Sequence, residues 1–318
     1  MYQEQCCDFF SCVTCGNGKR MKRFFPFFLL IFLFGCASTV KHDLAVEYYN
    51  LGNAYYKIKE YEKAIEFFNK SIAQDPSLLH AHYNLSVALI QKGRGAEANR
   101  ILRTLLEKEP ENTAILGILG YSLYVQKKGE EALEIFARIL SLNPHDPNAL
   151  YNRGVVLWDL GRKGEAEETF KDLLSSHSEK GDEIREDTLF NLGKLLAELE
   201  RFKEAIEYLE EYLEWRNKDV DALSLLSKAY RSVERYNKAL EILDTRLTVD
   251  ENVAAIWMDR AEILLARVED PVMGMEALSQ ALSLGFKDKK RIKLLLDDPG
   301  LIQREQIEEI LRYYELMP

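Results

Sequence analysis

Four thiols are crowded into the first fifteen residues, Cys6, Cys7, Cys12 and Cys15, and a fifth, Cys36, is the last in the chain. Cys12 and Cys15 form a CxxC pair, and four thiolates could ligate zinc. A zinc knot ahead of a secretory signal would be discarded with it, however, and a second start at Met21 makes residues 1–20 an expected untranslated or discarded extension. Beyond Cys36 the chain has no thiol, so its body cannot carry a disulfide framework, a Cys-ligated metal or a Cys nucleophile. His42, His80, His82, His145 and His177 form no ligand pattern, and His80 and His82, two apart, point to different faces of a helix. The stretch Asn143–Asn148 holds two acceptors in a turn but lacks the ligand count of a calcium loop. There is no HExxH, GxSxG, GxGxxG or Walker motif. The sequence therefore predicts a protein that is not an enzyme, with no catalytic residue, no metal and no cofactor.

Met21-Lys22-Arg23 precedes an uncharged, largely aromatic run from Phe24 to Phe34. A basic start followed by such a run predicts a secretory signal over 21–35, too short to cross a bilayer comfortably, which takes about 20 residues. The run ends in Leu33-Phe34-Gly35-Cys36, which resembles the bacterial lipobox, although Phe34 is bulkier than the small residue usual there. The resemblance implies a lipid on Cys36, the new N-terminus, and hence a lipid-anchored protein of a bacterial envelope, on the outer membrane and facing the periplasm. The alternative is ordinary signal cleavage with Cys36 incidental. Residues 36–44 are left as a short tether, expected to be extended.

The 318 residues carry 42 Lys+Arg against 52 Asp+Glu, a formal charge of −10, and losing residues 1–35 makes the remainder more acidic. That balance argues against nucleic-acid binding, which draws on a basic surface. An apolar fraction of 47% permits a large folded core.

Small residues recur at Gly52, Ser86, Gly120, Gly154, Gly193, Ser227 and Ala261, with gaps of 34, 34, 34, 39, 34 and 34. A second comb follows at Ala64, Ala98, Ala132, Ala166, Ala205, Ala239 and Ala277. Large apolar residues fill the slots between them at helical spacing, as with Leu51, Tyr55 and Ile58, then Ile65 and Phe68. Glycine inside a helix costs about 1 kcal/mol against alanine. Its return at equivalent positions predicts two helices in close approach there. Pro76, Pro110 and Pro144 close the first three units, since proline ends a helix at the residue before it. One helix pair cannot bury its own apolar face, but stacked neighbours can.

These units resemble tetratricopeptide repeats, 34-residue helix–turn–helix modules. Tyr48-Tyr49-Asn50-Leu51-Gly52-Asn53-Ala54-Tyr55-Tyr56 through Ala64, Phe68 and Asp75-Pro76 carries the match. The resemblance implies an all-α solenoid, a right-handed superhelix of helix pairs. Seven units are expected at 45–78, 79–112, 113–146, 147–185, 186–219, 220–253 and 254–286, followed by capping helices over 287–318. Unit four gains five residues around Ser178–Glu183, read as a solvated insertion. Unit seven has a longer turn around Val268–Val272. Two amphipathic stretches, Lys287–Leu296 and Leu301–Leu316, are expected to cover the last apolar face. The basic cluster Lys287, Lys289, Lys290, Arg291 and Lys293 reads as a solvated face of that cap.

By the same resemblance, the first helix of each pair lines the concave side. Its candidate peptide-binding groove consists of Tyr49, Asn53, Tyr56, Tyr83, Tyr121, Tyr124, Tyr151, Trp158 and Phe190, aromatic through the first four units, with a gap at Gly117. Aromatic side chains give large contact area at low entropic cost. The same tyrosines could equally pack neighbouring repeats together. Asn53 and Asn84 resemble the asparagines of a carboxylate clamp, but Tyr49, Ala114 and Ile118 stand where its basic residues belong, so chaperone-tail capture of that kind is rejected. Asn50, Asn84, Asn152 and Asn191 precede the small markers and are expected to bond between repeats. The functional expectation is a non-catalytic envelope scaffold that holds a protein or peptide partner, an adaptor for assembly, secretion or regulation, with no nucleic acid. The alternative is an accessory subunit of periplasmic solute uptake that contacts an apolar ligand through the Gly117 gap.

Overall fold

The computed structural model describes residues 25–177 and 182–316, with side chains from residue 41 onward. The extension 1–20, the basic start of the signal, the Cys36 side chain and most of the unit-four insertion lie outside this description. Among the described residues all regular structure is helical. The chain forms two compact units that divide between Lys128 and Gly129.

In the first unit α1 (Phe25–Lys57) pairs with α2 (Tyr61–Gln74), and α3 (Leu79–Gln91) with α4 (Gly95–Lys108), before α5 (Thr113–Val125). The expected tether is corrected here: residues 36–44 belong to α1, which runs without a break from Phe25. Nine residues in helix advance about 13 Å, not the roughly 30 Å of an extended chain. The sequence from Gly35 to Leu44 holds no proline and only one glycine, so nothing in it stops a helix.

The small-residue comb sits where helices meet. A Cβ on Gly52 would lie 2.5 Å from the ring of Phe68, which is fully buried. Ser86 takes the equivalent place in the next pair and is also fully buried, and there the residue sixteen further on is Leu102 instead of phenylalanine. A smaller ring-side partner thus accompanies the larger marker, which is how a close-packed interior conserves volume. Burying a side chain such as Phe68 contributes about 2–3 kcal/mol.

The second unit opens with α6 (Gly129–Leu142) and continues as the pairs α7 (Pro147–Asp159) and α8 (Lys163–Ser176), α9 (Glu183–Glu198) and α10 (Phe202–Trp215), α11 (Val220–Ser232) and α12 (Tyr236–Val249), α13 (Ala254–Ala266) and α14 (Pro271–Ser283). A Cβ on Gly193 would meet Leu209 at 2.8 Å, and one on Gly154 would collide with the Phe170 ring. Ala166, Ala205, Ala239 and Ala277 are fully buried. The starts of α7, α11 and α14 are fixed by side-chain caps. The carboxylates of Asp146, Asp219 and Asp270 accept from the backbone amides of Ala149, Ala222 and Met273 at 2.9, 2.8 and 3.0 Å. The unit-four insertion shifts the start of α9 to Glu183, behind the capping carboxylate of Asp182.

The two short helices α15 (Lys289–Leu296) and α16 (Arg304–Tyr313) end the second unit. Ile292, Leu295, Leu296, Ile307 and Leu311 bury themselves with Ala277, Leu278, Ala281 and Leu282 of α14 in one core. The last apolar face is therefore covered. The reading of Arg291 as a solvated cap residue is corrected: it is half-buried, its Nε 2.6 Å from Glu262, while Lys287, Lys289, Lys290 and Lys293 are exposed.

The corner inside each of the first six repeats turns through a left-handed residue: Lys59, Gly93, Lys127, Gly161, Glu200 and Glu234, with φ between 59° and 77°. At one such corner the amide of Arg94 returns to the carbonyl of Leu89 at 2.8 Å, closing the end of α3. Glycine fits this conformation without cost, and lysine or glutamate does not.

Candidate functional site

The repeat period places equivalent residues of α1, α3 and α5 on equivalent helical faces. Six of the candidate groove residues, Tyr49, Asn53, Tyr56, Tyr83, Tyr121 and Tyr124, lie in the first unit, and Tyr151, Trp158 and Phe190 lie in the second.

In the first unit the face is built from phenols and amides that hold one another. Asn84 Nδ2 donates to Asn53 Oδ1 at 2.6 Å and to the Tyr49 hydroxyl at 3.2 Å. Asn112 Nδ2 donates to the Tyr83 hydroxyl at 2.9 Å while its Oδ1 caps α5. The Tyr49 ring lies against Phe68 with centroids 6.1 Å apart, and Tyr56 against Tyr61 at 5.4 Å. Burial pushes the Tyr56 phenol up, reinforced by Tyr61 and Tyr121; burial also raises Tyr83, with Glu109 adding to it. These two phenols stay neutral through the physiological range. Tyr121 is exposed, and a Cβ placed on Gly117 meets nothing within 4 Å. The face thus offers an open step at Gly117, a projecting phenol at Tyr121 and an amide pair already committed to each other. Such a surface can hold a segment by apolar contact and hydroxyl hydrogen bonds.

In the second unit the three remaining candidates are tied into their neighbours. The Tyr151 hydroxyl accepts from Asn191 at 3.1 Å and its ring sits 6.4 Å from that of Phe170. Trp158 Nε1 donates to Glu198 at 3.0 Å, with the Lys194 ammonium 5.4 Å from its ring. Phe190 packs on Tyr212 at 5.3 Å. Asn84 and Asn191 do bond between repeats, whereas Asn152 turns back to the carbonyl of Asn148 at 2.8 Å and Asn50 is exposed.

One feature of the second unit escaped the sequence reading. Arg246 lies seven residues after Ala239, and the same register in earlier repeats holds Ser71, Leu105, Ile139, Leu173 and Tyr212, all buried. An arginine in a core register is the signal that would have found it. Among the described residues, no group of three His, Cys, Asp or Glu side chains could hold a metal ion.

Four sequence models described as tetratricopeptide repeat match the chain at residues 45–78, 83–147, 145–218 and 196–268. A tetratricopeptide repeat-containing protein of Methanocaldococcus jannaschii, MJ1428, is 24% identical over 270 residues, covering 79% of this chain. The chain spans 46% of that protein and 45% of anaphase-promoting complex subunit 6 of Arabidopsis thaliana, less than half of either. A protein of Treponema pallidum named as an uncharacterized lipoprotein is 26% identical over 168 residues, covering 52% of this chain and 85% of its own. Among solved structures, Pseudomonas aeruginosa pilF superposes with a TM-score of 0.53 at 20% identity, covering 74% of this chain and 97% of that one. At such identity the likeness speaks for the fold alone. The 34-residue period, the buried small-residue comb and these matches agree: the chain belongs to the tetratricopeptide repeat family.

Proposed function

We propose that the chain is a non-catalytic envelope lipoprotein whose first unit docks an extended, uncharged protein segment across α1, α3 and α5. Tetratricopeptide-repeat scaffolds mediate protein interactions, and this chain is one of them. The finer reading is carried by the open step at Gly117 beside the exposed Tyr121, on a face of phenols and amides. The lipoprotein part is supported by Gly35-Cys36 behind an apolar run and by the name of the treponemal relative. An adaptor role in envelope assembly, secretion or regulation follows from that location.

A photo-crosslinking residue at Tyr121 should trap one defined protein in cells, while the same residue at the exposed Arg103 of α4 should not. Equal, diffuse products from both positions would remove the docking face. Cys36→Ser should lose metabolic labelling by an alkyne fatty acid and leave the membrane fraction, and retained label would remove the anchor. The step at Gly117 also suits the second reading, an apolar ligand delivered to solute uptake. Gly117→Trp would then abolish co-purification of a small molecule without changing the protein captured at Tyr121.

A further inference from the structure

The second unit holds a cavity of ≈ 800 Å³ between α11, α12, α13 and α15. It lies within the size range of small-molecule sites. Three carboxylates stand in its wall, and all three are already engaged. Asp259 and Glu262 are shared by Arg231, at 2.5 and 2.8 Å, and by Arg291, while Asp298 is held by Arg267 at 2.6 Å. Two cations of the wall are not used in this way. Lys228 has no ion-pair partner among the described residues. Arg246 is 9% exposed, and its Nε and Nη1 are buried with no hydrogen-bond partner.

An unpaired buried guanidinium is costly, since burial strips its water and returns nothing. At the same register, earlier repeats place Ser71, Leu105, Ile139, Leu173 or Tyr212, none of them charged. An apolar residue would therefore serve the packing at least as well, and arginine there needs another reason. The rest of the wall supplies one. Leu243, Ile256 and Ile263 line the cavity, and Leu294, 62% exposed, stands at its edge. A guanidinium donates charge-assisted hydrogen bonds to a carboxylate, and Arg246 is one of the residues that line the cavity. Leu243, Ile256 and Ile263 give an apolar body a contact that inorganic phosphate cannot make.

We propose that this cavity is a ligand site for a carboxylate carried on an apolar body, with Arg246 as its buried anchor and Lys228 as a second positive charge. The site is separate from the docking face of the first unit and stands or falls independently of it. The carboxylate has two possible sources, a fatty acid or the free C-terminus of an apolar peptide, and the chemistry is the same for both.

The test titrates the full chain with decanoate, 1-decanol, inorganic phosphate, and an apolar tetrapeptide as free acid and as amide, read by calorimetry and by unfolding midpoint. Decanoate or the free-acid peptide should bind, and whichever is tighter names the source. Decanol, phosphate and the amide should each be weaker by at least about tenfold, the value of one charge-assisted hydrogen bond. Arg246→Met should lose binding by a similar factor, yet unfold no earlier than the parent without ligand, because it removes an unpaired buried cation. Leu294→Asp, at an exposed position, should weaken binding while leaving the fold intact. Equal affinity for decanoate and decanol, tightest binding of phosphate, no binding of either carboxylate, or undiminished affinity in Arg246→Met would each overturn the site. So would an earlier unfolding of ligand-free Arg246→Met, which would mean that the guanidinium has partners within the fold.

Discussion

Asn84 Nδ2 lies 2.6 Å from Asn53 Oδ1, so the amides of two successive repeats are bonded to each other directly. Both are partly accessible, and water can replace the bond once one partner is gone. Asn84→Ala should therefore cost about 1 kcal/mol of stability, measured by chemical denaturation. The double variant Asn53→Ala/Asn84→Ala should cost less than the two singles together. Strict additivity would show that the bond couples nothing.

Gly52 and Phe68 form a size-matched pair, as the 2.5 Å approach of a Cβ to the ring requires. Gly52→Ser should destabilise by about 2 kcal/mol, because a fully buried ring has nowhere to move. Phe68→Leu should cost about 1 kcal/mol by itself. Together they recreate the Ser86 and Leu102 combination of the next repeat, so the double variant should recover at least about 1 kcal/mol of the summed cost. A thermodynamic cycle on the four proteins reads this directly.

Glu234 turns its corner at φ 60°, a conformation that costs an L residue with a side chain about 1 kcal/mol. Glu234→Gly should raise stability by about 0.5 kcal/mol at most, net of the larger chain entropy of glycine in the unfolded state. Gly161→Ala, at the same corner of another repeat and φ 77°, should lower it. Opposite signs in thermal unfolding are the expected outcome.

The Ser77 hydroxyl, and after it His42 Nδ1 at 2.7 Å, hold the Asp75 carboxyl down to about 2. The folded value lies below the ordinary carboxylate value, so the folded state is favoured when Asp75 is ionised. That contribution is fully present above about 4 and is lost as pH falls toward 2. Carboxyl NMR titration should place Asp75 near the bottom of that window in the parent. It should move upward in Ser77→Ala, and an unmoved titration would count against the bond.

The helix pairs were legible because packing leaves its mark on residue size. Gly52, Gly154 and Gly193 must be small for helices to meet, and each repeat restates the demand at the same spacing. The side chains of the candidate face were legible as types but not as partners. That Asn112 holds the Tyr83 hydroxyl depends on rotamers and on the offset between repeats, which no spacing encodes. The left-handed corners were half hidden, since Gly93 and Gly161 announce them while Lys59, Lys127, Glu200 and Glu234 do not. Arg246 was visible in principle, but only by carrying the repeat alignment seven residues past the alanine comb. Taken alone it is one more charge on an amphipathic helix.

Helix α1 continues without interruption from Cys36 to the close-packed Gly52. Anything that grips the chain near Cys36 therefore holds a stiff rod rooted in the first repeat, not a string. Such a mount limits the directions in which that repeat can face, and it hands any pull straight to the junction of α1 and α2.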